Sequence, residues 1–107
     1  MGEARFDVLL TDDAWSDLAD IDAYWTGRGE AWRGEKYFYD LRDFSLCELG
    51  DRKTAQRGRP ARNTDRSGVQ EILAFGVYRI IYEIDEAASR VEILRFWHAH
   101  RDAPPLE

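Results

Sequence analysis

The residues with the most chemistry to offer lie in the C-terminal half of the chain. Arg79 sits in the run Val77-Tyr78-Arg79-Ile80-Ile81-Tyr82-Glu83-Ile84. A guanidinium presents a rigid, permanently charged fork to phosphate oxygens. The same group can instead pair with Glu83 or Glu92 on a solvated sheet face. His98 ends the run Arg95-Phe96-Trp97-His98, with His100 and Arg101 just beyond it. A free imidazole titrates at about 6.5 and so can act as acid or base at cellular pH. It can equally close a strand by hydrogen bonding to the following loop. Residues 51–68 carry Arg52, Lys53, Arg57, Arg59, Arg62 and Arg66 against Asp51 and Asp65. Such a stretch suits contacts to phosphates or carboxylates, or it neutralises nearby acidic helices. It lacks interleaved aromatics, so base stacking is not expected there. Cys47 is the one cysteine. It can form neither an internal disulfide nor a thiolate metal cluster, and it reads as an inert packing residue.

Several elements must position these groups. Arg5 to Thr11 reads as a strand in which Phe6, Val8 and Leu10 alternate with Arg5, Asp7 and Leu9. Thr11 or Asp12 offers an N-cap oxygen, and Asp12 and Asp13 suit the positive end of a helix. That first helix is expected over about residues 12–26, with Ala14, Leu18, Ile21 and Trp25 on its inner face and Asp13, Asp17 and Asp20 outside. Gly27-Arg28-Gly29 breaks it. A second helix is expected over about residues 30–49, with Ala31, Gly34, Phe38, Leu41, Ser45 and Leu49 in one stripe and Gly50 as its C-cap. So short a link makes the two an antiparallel hairpin. Residues 51–68 then read as a long basic loop. Strands follow over residues 69–75, 77–84 and 90–98, joined by short turns into an antiparallel meander. In the middle strand Tyr78, Ile80, Tyr82 and Ile84 form one face, expected under the helices. Val77, Arg79, Ile81 and Glu83 form the other, expected to look out with Arg79. The fold class is α+β: an N-terminal strand, a two-helix hairpin and a three-stranded meander, giving a four-stranded sheet in one domain over residues 1–107.

Composition narrows the function. With 107 residues, 44% hydrophobic and 13% aromatic, the chain can build one modest core. Its net charge of −6 argues against a general nucleic-acid coat. The charge is uneven, however. Residues 1–50 hold twelve acids and five bases, while residues 51–107 hold nine acids and ten bases, leaving room for a local basic site. No apolar run is long enough to span a membrane, and the N-terminus has no signal-peptide pattern, so a cytoplasmic protein is expected. Nothing suggests a metal, nucleotide or organic cofactor. One feature is left over: Trp32, Tyr39 and Leu46 recur every seven residues, on the side of the second helix away from Leu41. Apolar groups on both sides of a helix mean either double burial or a surface for a partner.

The order strand, two helices, basic stretch and three strands resembles the RelE/ParE toxins of type II toxin–antitoxin systems. The runs Gly76 to Ile84 and Val91 to Asp102 carry the likeness, with Gly58-Arg59 in support. The resemblance implies a toxin silenced by a cognate antitoxin, which reaches operator DNA only through that antitoxin. The superfamily has two activities, and fold alone cannot choose between them. RelE-like members cleave messenger RNA on the ribosome. ParE-like members inhibit DNA gyrase with no known enzymatic reaction. The ending Arg-Phe-Trp-His followed by Arg-Asp resembles the ParE branch. If the chain were RelE-like, Arg79 would stabilise the phosphate in flight and His98 would act as acid or base. The sequence identifies no group to take the proton from a ribose 2′-hydroxyl. It also lacks the tyrosine that RelE-like enzymes often carry after the last strand. Arg57, Arg59, Arg62 and Arg101 are candidates for contacting the target, a nucleic acid or the antitoxin. Trp32, Tyr39 and Leu46 are candidates for seating the antitoxin. A third alternative is a decayed toxin that serves only in a repressor complex.

Overall fold

The computed structural model describes residues 4–62 and 66–99. Its elements in chain order are β1 (Asp7–Leu10), α1 (Asp12–Gly27), α2 (Ala31–Gly50), α3 (Arg52–Gln56), β2 (Arg59–Pro60), β3 (Val69–Ala74), β4 (Tyr78–Asp85) and β5 (Arg90–His98). The strands form one sheet in the order β1-β5-β4-β3-β2. β1 runs parallel to β5, and every other neighbour is antiparallel. The architecture is the expected α+β one, with five strands rather than four. The extra strand, β2, and the short helix α3 both lie in the stretch that reads as a loop. α3 is capped by Asp51, whose Oδ1 accepts from the Thr54 amide at 2.9 Å. Gly58 then lets the chain pass over β4, because a Cβ there would lie 1.8 Å from the Tyr82 hydroxyl. A five-residue helix and a two-residue strand are too short to leave a periodic signature.

The helix hairpin forms as the pattern requires. Thr11 caps α1: its hydroxyl accepts from the Ala14 amide at 3.2 Å and donates to the Ile93 carbonyl at 2.9 Å, tying the helix start to β5. α1 and α2 approach closely at Gly34, where a Cβ would meet the Asp22 carbonyl oxygen at 2.6 Å. Under the helices, Leu18, Leu41, Tyr78, Ile80, Tyr82, Val91, Ile93 and Phe96 are buried, with Ile21, Phe38 and Ile84 packed against them. Tyr82 donates its hydroxyl proton to the Ala55 carbonyl at 2.6 Å, and burial pushes its phenol up to about 12.

Three expectations are corrected. The outer face of β4 does not look out: Arg79 is 3% exposed and Ile81 1%. A second, smaller core of Val69, Ile81 and Leu94, with Ala61 and Trp97 against it, covers that face. It forms because the chain returns after β2, where the Ala61 amide donates to the Val69 carbonyl at 2.9 Å. Asp17 is not on the outer side of α1 but buried against β5. Cys47 is exposed rather than packed inside. Among the described residues, no helix is long and apolar enough to cross a membrane.

Candidate functional site

Arg79 meets neither Glu83 nor Glu92; its partner is Glu71. The β3–β4 hairpin sets this, because register pairs Leu73 with Arg79 and Glu71 with Ile81, so Glu71 stands on the same face one diagonal step away. The Arg79 guanidinium donates to Glu71 Oε1 through Nε at 3.2 Å and Nη2 at 2.7 Å. The Arg62 amide donates to the same oxygen at 3.0 Å. The other oxygen, Oε2, has the Arg59 Nη2 at 3.4 Å and the Arg62 Nε at 3.6 Å. One carboxylate, 2% exposed, therefore gathers three guanidiniums. Burial pushes the Glu71 carboxyl up, but hydrogen bonds from Arg79 and the Arg62 amide, with the charges of both arginines, outweigh it and hold it below its ordinary 4.5.

His98 lies elsewhere. Register pairs it with Tyr78, and Arg79 with Trp97. Successive residues of a strand point to opposite faces. His98 and Tyr78 thus share the helix-side face, with ring centroids 5.7 Å apart, while Arg79 belongs to the other face. The sheet separates Arg79 from His98. A cavity of about 750 Å³ opens beside β5, lined by Asp20, Tyr24, Trp25, Tyr78, Arg95 and His98 among others. Arg95 and His98 point to opposite faces, as alternation predicts, yet both reach this cavity because it sits at the strand's edge. β1 covers β5 only from Arg90 to Ile93. Beyond that, Asp17 takes over the edge: its Oδ2 accepts the Phe96 amide at 3.0 Å and Arg95 Nε at 2.7 Å, and its Oδ1 accepts Arg95 Nη2 at 2.8 Å. Hydrogen bonding to Asp17 raises the Arg95 pKa further above its usual value.

The stripe on α2 is on the surface. Trp32 is 63% exposed, Tyr39 45% and Leu46 39%. Trp15, on α1, is also exposed, and its ring centroid lies 6.4 Å from that of Phe38. Arg33 lies over the Trp32 ring and Arg42 over the Tyr39 ring, at 5.2 and 4.9 Å from the centroids. The hairpin therefore presents an unpartnered, aromatic-rich ridge with cations stacked along it.

Of the expected site residues, Arg59 and Arg62 come together around Glu71, Arg57 is exposed between α3 and β2, and Arg101 lies outside the described residues. Glu71 and Asp17 went unforeseen. Counting back from the Gly76 turn would have put Glu71 diagonally beside Arg79. Asp17 gave no such signal, because its role depends on where β1 stops. Among the described residues, no group of three His, Cys, Asp or Glu side chains could hold a metal ion.

Residues 8–103 match the family model described as the ParE toxin of the type II toxin–antitoxin system parDE. Two solved structures share the fold. One is the toxin–antitoxin complex RelBE2 from Mycobacterium tuberculosis, at TM-score 0.70 and 22% identity over 94% of this chain and 98% of that one. The other is the chromosomal ParDE system from P. aeruginosa, at TM-score 0.68 and 16% identity over 88% of this chain and 96% of that one. No curated protein matches the sequence.

Proposed function

The chain belongs to the ParE toxin family of type II toxin–antitoxin systems, and on that premise we propose that it is an inhibitor of DNA gyrase held silent by a cognate antitoxin. It acts by binding, with no chemistry of its own. The observation that carries this reading is the separation of Arg79 from His98. Cleaving a phosphodiester needs a cation on the phosphate and proton-transfer groups within hydrogen-bonding reach of the same atoms. Here the cation is buried against Glu71 on one face of the sheet, and the imidazole faces the helix side. A buried, neutralised guanidinium has little left to offer a substrate phosphate.

The antitoxin's seat, on this reading, is the ridge of Trp32, Tyr39 and Leu46. These three span about 21 Å of helix at 1.5 Å per residue, a length that suits an amphipathic helix laid alongside. Both structural neighbours are toxin–antitoxin systems, and the RelBE2 structure is a complex, which supports a partner of this kind. Inducing the chain in cells without its antitoxin tests the target. A DNA-damage response with messages intact supports gyrase. Rapid loss of translated messages with no damage response would replace this reading with a ribosome-dependent endoribonuclease. Neither effect would point to a decayed toxin.

A further inference from the structure

We propose that the cavity between α1 and the end of β5 is a docking site for an arginine side chain presented by a basic segment of a partner protein, seated between the Asp20 carboxylate and the ring of Tyr24. This surface is separate from the ridge on α2, and the inference does not depend on whether gyrase is the target.

The cavity exists because β5 changes its neighbour. β1 borders it only as far as Ile93. Past that point side chains of α1 stand beside the strand. The space between them, about 750 Å³, lies in the range of about 300–1,000 Å³ usual for ligand sites. Its walls include Ile21, Tyr24, Trp25, Tyr78 and Phe96. Two of these are braced by Tyr37: the Tyr78 ring meets it edge-on at 5.2 Å and the Trp25 ring stacks on it at 5.9 Å. Tyr24, by contrast, is 55% exposed.

Charge gives the sign of the occupant. α1 carries Asp12, Asp13, Asp17, Asp20 and Asp22, and no lysine or arginine. Asp13, Asp17, Asp20 and Tyr24 recur at spacings of four, three and four, so they share one face of the helix. Asp17 is paired with Arg95. Hydrogen bonding to Asp17 raises the Arg95 pKa, and the charges of Asp17, Asp13 and Asp20 add to that, so three carboxylates act on one guanidinium. The face keeps a surplus of two negative charges. Among the described residues, Asp13 and Asp20 have no ion-pair partner. The arginines at the far end of the hairpin are engaged: Arg33 pairs with Glu30 at 3.4 Å, and Arg28 donates to the Tyr24 hydroxyl at 3.0 Å. Such a face repels phosphates and acidic segments alike, and so selects a cation.

The rings say which cation. A guanidinium is planar, stacks on aromatic faces and forks to carboxylates, whereas an ammonium is a compact point charge. Residues four apart on a helix are neighbours, so an arginine laid against Tyr24 reaches the Asp20 carboxylate in the same pose. The chain uses this pairing on its own arginines. Arg28 lies over the Tyr24 ring at 5.1 Å, Arg33 over Trp25 at 4.9 Å and Arg95 over Trp97 at 4.9 Å from the centroids. Arginine and tyrosine meeting in a partly enclosed pocket are the usual anchors of a protein interface.

The test is the binding of labelled, acetylated and amidated tri-arginine to the full chain, followed at low salt by anisotropy and by NMR. The peptide should bind and move the signals of Asp20, Tyr24 and the Trp25 indole, leaving the Trp32 indole in place. Tyr24→Leu should weaken binding by about 2–5-fold, the range of an exposed cation–π contact. Asp20→Asn should weaken it by a similar factor. Glu35→Gln, which removes the same charge from α2, should not. Tri-lysine and spermidine, of equal charge, should bind more weakly. Four results would overturn the proposal: no binding of tri-arginine, signals that move at Trp32 rather than Trp25, equal losses in Asp20→Asn and Glu35→Gln, or tri-lysine or spermidine binding as tightly as tri-arginine. The last would mark a site for cations at large, free polyamines included. Asp20 and Tyr24 are both exposed, so their variants should fold, and the wild-type competition decides the matter even if one does not.

Discussion

Replacing Glu71 with glutamine keeps the size of the side chain and removes the charge that holds three arginines together. Glu71 accepts from Arg79 at 2.7 and 3.2 Å and from the Arg62 amide at 3.0 Å. Arg79, 3% exposed, would be left as a buried cation without a counter-charge. Removing one partner of a buried pair costs about 3–5 kcal/mol, against a total stability of about 5–15 kcal/mol for a domain of this kind. The melting temperature should fall by roughly 12–40 °C, at about 4–8 °C per kcal/mol. Urea unfolding followed by tryptophan fluorescence measures the loss directly, with Trp97 reporting from the same face. The pH dependence has a definite sign. The folded carboxyl lies below 4.5, so its contribution is complete above the unfolded value and is lost as pH falls through the folded one. Wild-type stability should therefore decline below about pH 4.5, and the Gln variant should decline less. A second comparison separates pairing from packing. Glu71→Leu with Arg79→Met should recover most of the loss, because a buried ion pair is often replaceable by apolar residues of similar volume. A loss below about 1 kcal/mol for Glu71→Gln, in the range of an exposed pair, would mean that Arg79 is not held by Glu71. Arg79 would then be available for other work.

Further outcomes follow from the same contacts. Asp17→Ala removes both the partner of Arg95 and the acceptor for the Phe96 edge amide, and should cost about 3 kcal/mol in urea unfolding. Gly58→Ala forces a methyl to within 1.8 Å of the Tyr82 hydroxyl oxygen; it should cost about 1–3 kcal/mol, and pairing it with Tyr82→Phe should cost less than the two single changes added together. Tyr39→Asp with Leu46→Asp should leave melting nearly unchanged and weaken antitoxin binding by several kcal/mol, since each buried side chain is worth roughly 1.5–3 kcal/mol. Unweakened binding in calorimetry would move the antitoxin to another surface.

The fold was legible wherever pattern ran long. Alternation over Tyr78 to Ile84 and the spacing of Ala14, Leu18 and Ile21 gave much of the helix-side core, while Trp25, expected on the same face, lines the cavity beside β5. β5 was bounded correctly at both ends, Arg90 and His98. What escaped was made by tertiary contact. β4 has a buried outer face because the chain doubles back over it after β2, and no local pattern in β4 records that return. The same cover turned an expected surface arginine into the centre of an ion-pair cluster. α3 and β2 were invisible for their brevity. The exposed ridge on α2 was legible because it added apolar residues that the hairpin's inner stripe did not need.

Gyrase inhibition is measured by a supercoiling assay with purified gyrase, relaxed plasmid and the purified chain, with and without its antitoxin, run beside a translating extract in which message integrity is followed. The chain should block supercoiling, the antitoxin should restore it, and messages in the extract should stay intact. Full gyrase activity together with cleavage of messages on the ribosome would contradict it.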